Sequence, residues 1–114
     1  MSEKSVEIGG ARLVLHCRAP LTGGPPEPVI LLHPWFGSWP FWRQTVAALP
    51  EFETLSVDLY SLGASDDWQR FAGPHGLAQA VGKMLDALHV DRCIVVGNSM
   101  GGIAAQALAA TRGI

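Results

Sequence analysis

The stretch Arg92-Cys93-Ile94-Val95-Val96-Gly97-Asn98-Ser99-Met100-Gly101-Gly102 constrains this chain more than any other. It reads as a buried strand, then a turn of small residues, then a helix that continues through the alanine-rich segment 103–110. Ser99 stands at the apex, with Gly97 two residues before it and Gly101 two after. A strand that reverses into a helix so abruptly brings two backbones close together, and glycines leave room for that approach. The apex residue is forced into a strained conformation that pushes its hydroxyl out over the amino end of the helix. There the backbone N–H of Met100 and the helix dipole can stabilise a developing negative charge. This is the G-x-S-x-G pattern of a nucleophile elbow, with Ser99 as the candidate catalytic residue.

The pentapeptide alone is weak, and its setting between an apolar run and a helix pattern gives it weight. A glycine-rich phosphate cradle is the competing reading. It fits poorly, because Gly97, Ser99 and Gly102 do not make G-x-G-x-x-G and no lysine follows as a P-loop requires.

The rest of the sequence bounds the class of protein. At 114 residues it reads as a single domain, residues 1–114, with 48% hydrophobic and 16% charged residues, hence globular. A formal net charge of -2 argues against nucleic acid and against a polybasic membrane surface. The amino end Met1-Ser2-Glu3-Lys4 carries no apolar leader, and no run is long enough to span a bilayer, so a cytoplasmic location is expected. Cys17 and Cys93 both fall in predicted strands and read as free thiols. No cluster has metal-ligand spacing, so no cofactor and no metal is implied.

From the amino end, Ser5–Ile8 predicts a strand, Gly9-Gly10 a hairpin turn, and Arg12–Arg18 a half-buried strand with Leu13, Leu15 and Cys17 on one face. His16, on the other face, reads as a surface or edge residue. The proline-rich stretch 19–28 is a connection. Val29–Leu32 is continuously apolar, the mark of a strand covered on both faces. Pro40, Trp42, Val46 and Leu49 predict a helix ending at Pro50. Leu55–Val57 predicts a strand ending at Asp58, followed by a loop through Gly73-Pro74. Leu77, Val81, Met84, Leu85 and Leu88 form one face of another helix. The elbow strand, Cys93–Val96, and its helix, with Ile103, Ala104, Ala107 and Leu108, complete the pattern. Strand and helix alternate from Val29 onward, which predicts a mostly parallel α/β sheet with an antiparallel N-terminal hairpin at one edge.

Three segments together resemble the amino-terminal half of an α/β-hydrolase. Leu31-Leu32-His33-Pro34-Trp35-Phe36-Gly37-Ser38-Trp39 is similar to the oxyanion loop after the third strand, usually H-G-x-P-G-S. Asp58-Leu59-Tyr60-Ser61-Leu62-Gly63-Ala64-Ser65-Asp66 is similar to the D-x-x-G-x-G-x-S-D segment after the fourth. Val96-Gly97-Asn98-Ser99-Met100-Gly101-Gly102 is the elbow, and its wording resembles hydrolases acting on meta-cleavage products of aromatic rings. Pro34 and Ser61 replace usual glycines, and Phe36 replaces a usual proline. Proline has no N–H to donate; the second oxyanion donor of the family falls one position later, on Trp35. The resemblance therefore implies an oxyanion site made by the backbone N–H groups of Trp35 and Met100. It also implies that His33 braces the oxyanion loop, and that His33, Phe36 and Asn98 belong to the substrate pocket. Related dehalogenases and epoxide hydrolases carry aspartate at the apex, so Ser99 points towards a small-molecule ester, lactone or C–C bond substrate.

A serine of this kind works with an acid and a histidine that follow it in the chain order Ser, Asp or Glu, His. Only fifteen residues follow Ser99, so both partners are expected outside this sequence, and the fold to be truncated after the elbow helix. His75 and His89 read as surface residues, and Asp58, Asp66 and Asp67 as acids that organise their loops. The elbow strand is expected to present an unpaired edge, open to self-association or to a complementing C-terminal polypeptide. The aromatic residues Trp35, Phe36, Trp39, Phe41 and Trp42 either line an apolar pocket or pack the loop and first helix. Two functions stand: a serine hydrolase with its triad acid and histidine missing here, or a non-catalytic truncated remnant or binding module of the same fold.

Overall fold

The computed structural model describes residues 2–64 and 73–112. The expectations for Asp66, Asp67 and the remainder of that connection lie outside the described residues. Among the described residues five strands form one sheet: β1 (Ser2–Ile8), β2 (Ala11–Arg18), β3 (Val29–Leu32), β4 (Thr54–Asp58) and β5 (Ile94–Gly97). Their order across the sheet is β1-β2-β4-β3-β5. The hairpin β1–β2 is antiparallel, β2 joins β4 antiparallel, and β3 runs parallel to both β4 and β5. The sheet is therefore parallel from β3 onward with the hairpin at one edge, as the sequence pattern predicts.

The face carrying Leu13, Leu15, Cys17, Ile30, Leu32, Leu55 and Val57 holds the main core, with α2 (Pro74–Ala87) and α3 (Met100–Arg112) packed on it. The predicted apolar positions of α2 are those it buries: Leu77, Val81, Met84 and Leu85, with Leu88 partly covered. Helix α3 buries Ala104 and Leu108, but Ile103 is exposed. On the opposite face a 3-10 turn at Trp39–Trp42 runs into the short helix α1 (Arg43–Ala47), so the single helix predicted there is broken in two. Trp42 and Val46 from that segment cover Val29 and Leu31. Among the described residues no helix lies over the same face of β5, where Ile94 and Val96 are both exposed.

Arg18 holds this smaller layer in place. Its Nη1 donates to the Val46 carbonyl at 2.9 Å, and its Nη2 donates to the carbonyls of Leu49 and of Phe52, the latter at 2.9 Å. Helix ends leave carbonyls without partners, and a guanidinium offers several donors to one such cluster. No basic residue stands in the last turn of α1, so the cation comes from β2.

Helix α2 ends at Leu88 with His89 at φ 56°. The His89 N–H bonds to Asp86 and the Val90 N–H to Leu85, the paired bonds of a Schellman cap, with histidine where glycine is usual. Between α2 and α3, Arg112 pairs with Asp86 at 2.8 Å and donates to the Gly82 carbonyl at 3.3 Å. No disulfide links the cysteines: Cys17 is buried, and Cys93 is half-buried just ahead of β5 rather than within it. Burial pushes both thiols up from their ordinary range. Among the described residues no helix is long and apolar enough to cross a membrane.

Candidate active site

The carboxyl ends of β4, β3 and β5 lie side by side, and each opens into one of the three segments singled out in the sequence. Strand β5 reaches Gly97, and the chain turns through Asn98 and Ser99 into α3, whose first residue is Met100. Ser99 has φ 55°, the left-handed region that L-residues other than Asn and Asp seldom enter. Its side chain is exposed.

The flanking glycines explain how the turn closes. A Cβ on Gly97 would lie 2.2 Å from the Gly101 carbonyl oxygen, and a Cβ on Gly101 would lie 2.0 Å from the Leu32 carbonyl oxygen. Both are far inside van der Waals contact, so strand, turn and helix pass with no space for a side chain at either position. The Asn98 N–H donates to Leu32 at 3.2 Å, extending the β3–β5 ladder by one bond beyond the strands. The turn is thus clamped to the end of β3 by a hydrogen bond and by close backbone packing.

The segment after β3 is fixed just as firmly. His33 is fully buried. The Leu59 N–H donates to its Nε2 at 2.9 Å, so that nitrogen carries no proton, and Nδ1 donates to the Pro34 carbonyl at 2.9 Å. The Gly37 N–H donates to the same carbonyl at 3.0 Å, closing a turn with Trp35 and Phe36 at its tip. Phe36 is almost wholly exposed and Trp35 half-exposed. Neither the Trp35 nor the Met100 N–H donates to a backbone carbonyl among the described residues.

The segment after β4 forms a 3-10 helix, Leu59–Ala64, where the sequence reading expects a loop. Asp58 accepts the Tyr60 N–H at 3.2 Å, the loop-organising role expected of it. Ser61 Oγ donates to the Asp58 carbonyl at 2.6 Å and accepts the Val14 N–H at 2.9 Å. The hydroxyl in place of a usual glycine therefore joins this segment to β2. The Tyr60 ring lies 5.1 Å from His33 and meets Trp35 edge-on at 6.1 Å. Desolvation raises its phenol from the ordinary value of 10.0, so it is neutral at physiological pH.

The structure thus brings Ser99, Asn98, Met100, His33, Trp35 and Phe36 to one end of the sheet, and adds Tyr60, which the sequence reading did not select. One expectation needs correction. His33 does not line a pocket, because it is fully buried and both ring nitrogens are engaged by the main chain. The aromatic group also divides. Trp42 packs the core, Trp39 stacks on His16 at 3.6 Å with Arg43 over its ring, and Trp35 meets Tyr60. His16 is accordingly half-buried rather than a plain surface residue. His75 and His89 are exposed, on the first turn and at the end of α2. Among the described residues no three His, Cys, Asp or Glu side chains group as a metal site.

Residues 29–114 match the model of the alpha/beta hydrolase family, and the chain belongs to that family. It is 34% identical over 83 residues to the soluble epoxide hydrolase of Corynebacterium sp. (strain C12), covering 72% of this chain and 29% of that protein. Among solved structures, the unliganded epoxide hydrolase CorEH aligns with a TM-score of 0.81 and 28% identity over 97% of this chain and 38% of its own. An N-acyl homoserine lactone degrading enzyme aligns with a TM-score of 0.75 and 30% identity over 94% of this chain and 40% of its own. The chain therefore spans less than a third of that curated relative and about two-fifths of each of these solved structures.

Proposed function

We propose that this chain carries the nucleophile and oxyanion site of a serine hydrolase acting on a small carboxylic ester, lactone or related carbonyl substrate. Ser99 Oγ attacks the carbonyl carbon, and the carbonyl oxygen takes up negative charge facing the N–H groups of Trp35 and Met100. The observation that carries this reading is the left-handed backbone of Ser99, an exposed serine held at the amino end of α3 between two glycines that admit no side chain. Such strain persists where the surroundings impose it, and it places the hydroxyl where a substrate can reach it. The curated relative is an epoxide hydrolase. An aspartate apex suits epoxide opening, and serine here favours acyl chemistry instead.

A serine needs a base, and His33 cannot serve while its Nε2 accepts the Leu59 N–H. In this reading the general base that takes the Ser99 proton, and the acid that orients it, follow the serine in the family's order and come from further sequence or from a second polypeptide joined at the open edge of β5. The competing reading, a non-catalytic module of the same fold, draws on the same observation. The two are separated by treating the folded protein with a fluorophosphonate probe beside its Ser99→Ala variant. Labelling that disappears in the variant supports the hydrolase. A folded protein that takes up no probe, alone or with the complementing polypeptide, supports the module.

A further inference from the structure

We propose that Tyr60 sets substrate specificity: with the edge of Trp35 it forms an aromatic wall that receives a flat aromatic group on the substrate's carbonyl side. This rests on Ser99 being the attacking group. The order of the sheet supplies the first argument. Strand β3 lies between β4 and β5, so the turn bearing Trp35 is flanked by Tyr60 on one side and Ser99 on the other. Neighbouring strands are about 4.8 Å apart, which sets the ends of β4 and β5 about 10 Å from each other. Aromatic rings pack with centroids about 5 Å apart, leaving about 5 Å between the attacking oxygen and the centre of a ring resting on Tyr60. A benzoyl or phenylacetyl group fills that distance, and a short alkyl chain offers no face to the wall.

The second argument is that the wall is already in place. Tyr60 is tied through its N–H to Asp58, and its ring lies against His33, which is itself fully buried and bonded at both nitrogens. Trp35 meets it edge-on. Even so, Tyr60 is 43% exposed and Trp35 50%. Two large rings held in one arrangement with open faces bind a third ring at little cost in side-chain ordering.

Tyr60 is the sole tyrosine of the sequence, so ring-labelled protein gives one tyrosine signal. The Ser99→Ala variant of the chain is titrated with methyl benzoate and with methyl butyrate, so that binding is read without turnover. Methyl benzoate is expected to move the Tyr60 ring resonance saturably. In the same background Tyr60→Leu raises the Kd for methyl benzoate at least about fivefold, read from the indole N–H signals, while the Kd for methyl butyrate changes less than about twofold. Tyr60→Phe keeps the methyl benzoate affinity within about twofold, since the ring supplies the contact. No shift of the Tyr60 signal, or equal weakening for both esters, overturns the proposal. Because binding is measured without the serine, this result is independent of the fluorophosphonate outcome.

Discussion

The carbonyl oxygen of Leu32 occupies the place a side chain on Gly101 would need: a Cβ there would sit 2.0 Å from it. The contact is backbone against backbone, so no rotamer change relieves it. Gly101→Ala must push α3 away from the end of β3, and we expect it to destabilise the fold by about 3 kcal/mol. Urea unfolding of the variant measures this. A loss below about 1 kcal/mol would mean that helix and strand separate freely.

Among the described residues, two other than glycine, His89 and Ser99, have positive φ. Replacing either with glycine removes the steric cost of the left-handed region but adds freedom to the unfolded chain, for a net gain of about 0.5–1 kcal/mol. The two variants should therefore melt higher than the parent by similar amounts. They should differ in chemistry, because only Ser99→Gly loses fluorophosphonate labelling. Strain of equal size then has two origins, an unoptimised helix end and a proposed reacting group. A Ser99→Gly variant less stable than the parent would show that Ser99 is not strained in the folded protein.

Arg18 presents Nη donors to the carbonyls of Val46, Leu49 and Phe52. Arg18→Met preserves much of the apolar stem and leaves those acceptors without partners, with an expected loss of about 3 kcal/mol. Arg18→Lys should recover only part of it, since a single ammonium cannot reproduce the fork. Equal stability of the lysine variant and the parent would argue against the fork. Because α1 and its turn cover Val29 and Leu31, near-ultraviolet circular dichroism of the tryptophans should change along with stability.

The hydrogen bond from Arg112 holds the Asp86 carboxyl below its ordinary 3.8. A carboxylate with a lowered folded pKa contributes stability that is fully present above the unfolded value and is lost as pH falls through the folded one. Asp86→Asn should melt below the parent at pH 7, with the gap closing as pH drops below 3.8. Both residues face solvent, so added salt should shrink the same gap at neutral pH. A gap that persists at low pH would assign the effect to packing.

Most of the architecture was legible because apolar runs and glycine positions report on backbone environment. Val29–Leu32 is continuously apolar and is buried on both faces, and Leu77, Val81, Met84 and Leu85 mark the buried side of α2. The elbow could be read for a related reason, since Gly97 and Gly101 record a close approach of two backbones. What escaped lacked a local signal. Strand β1 begins at Ser2, ahead of the predicted start at Ser5, because its first residues are exposed and show no alternation; only pairing with β2 defines them. The 3-10 helix at 59–64 is shaped by Ser61 bridging Asp58 and Val14, two residues far apart in the chain. Arg18 reads as an ordinary strand-end charge until the carbonyls of a later segment arrive beside it. Tyr60 was passed over because nothing in its neighbourhood in the sequence announces that His33 and Trp35 will lie against its ring.

Clamping Ser99 through Gly97, Gly101 and the Leu32 carbonyl makes its position a property of the main chain alone. No neighbouring side chain is needed to aim it. The surrounding surface, with Phe36 at the turn tip and Trp35 beside Tyr60, can then change residue by residue without displacing the hydroxyl. A scaffold of this kind separates the part that must stay constant from the part that can diversify, so under the proposed hydrolase reading side chains can reach new substrates while the Ser99 hydroxyl keeps its address.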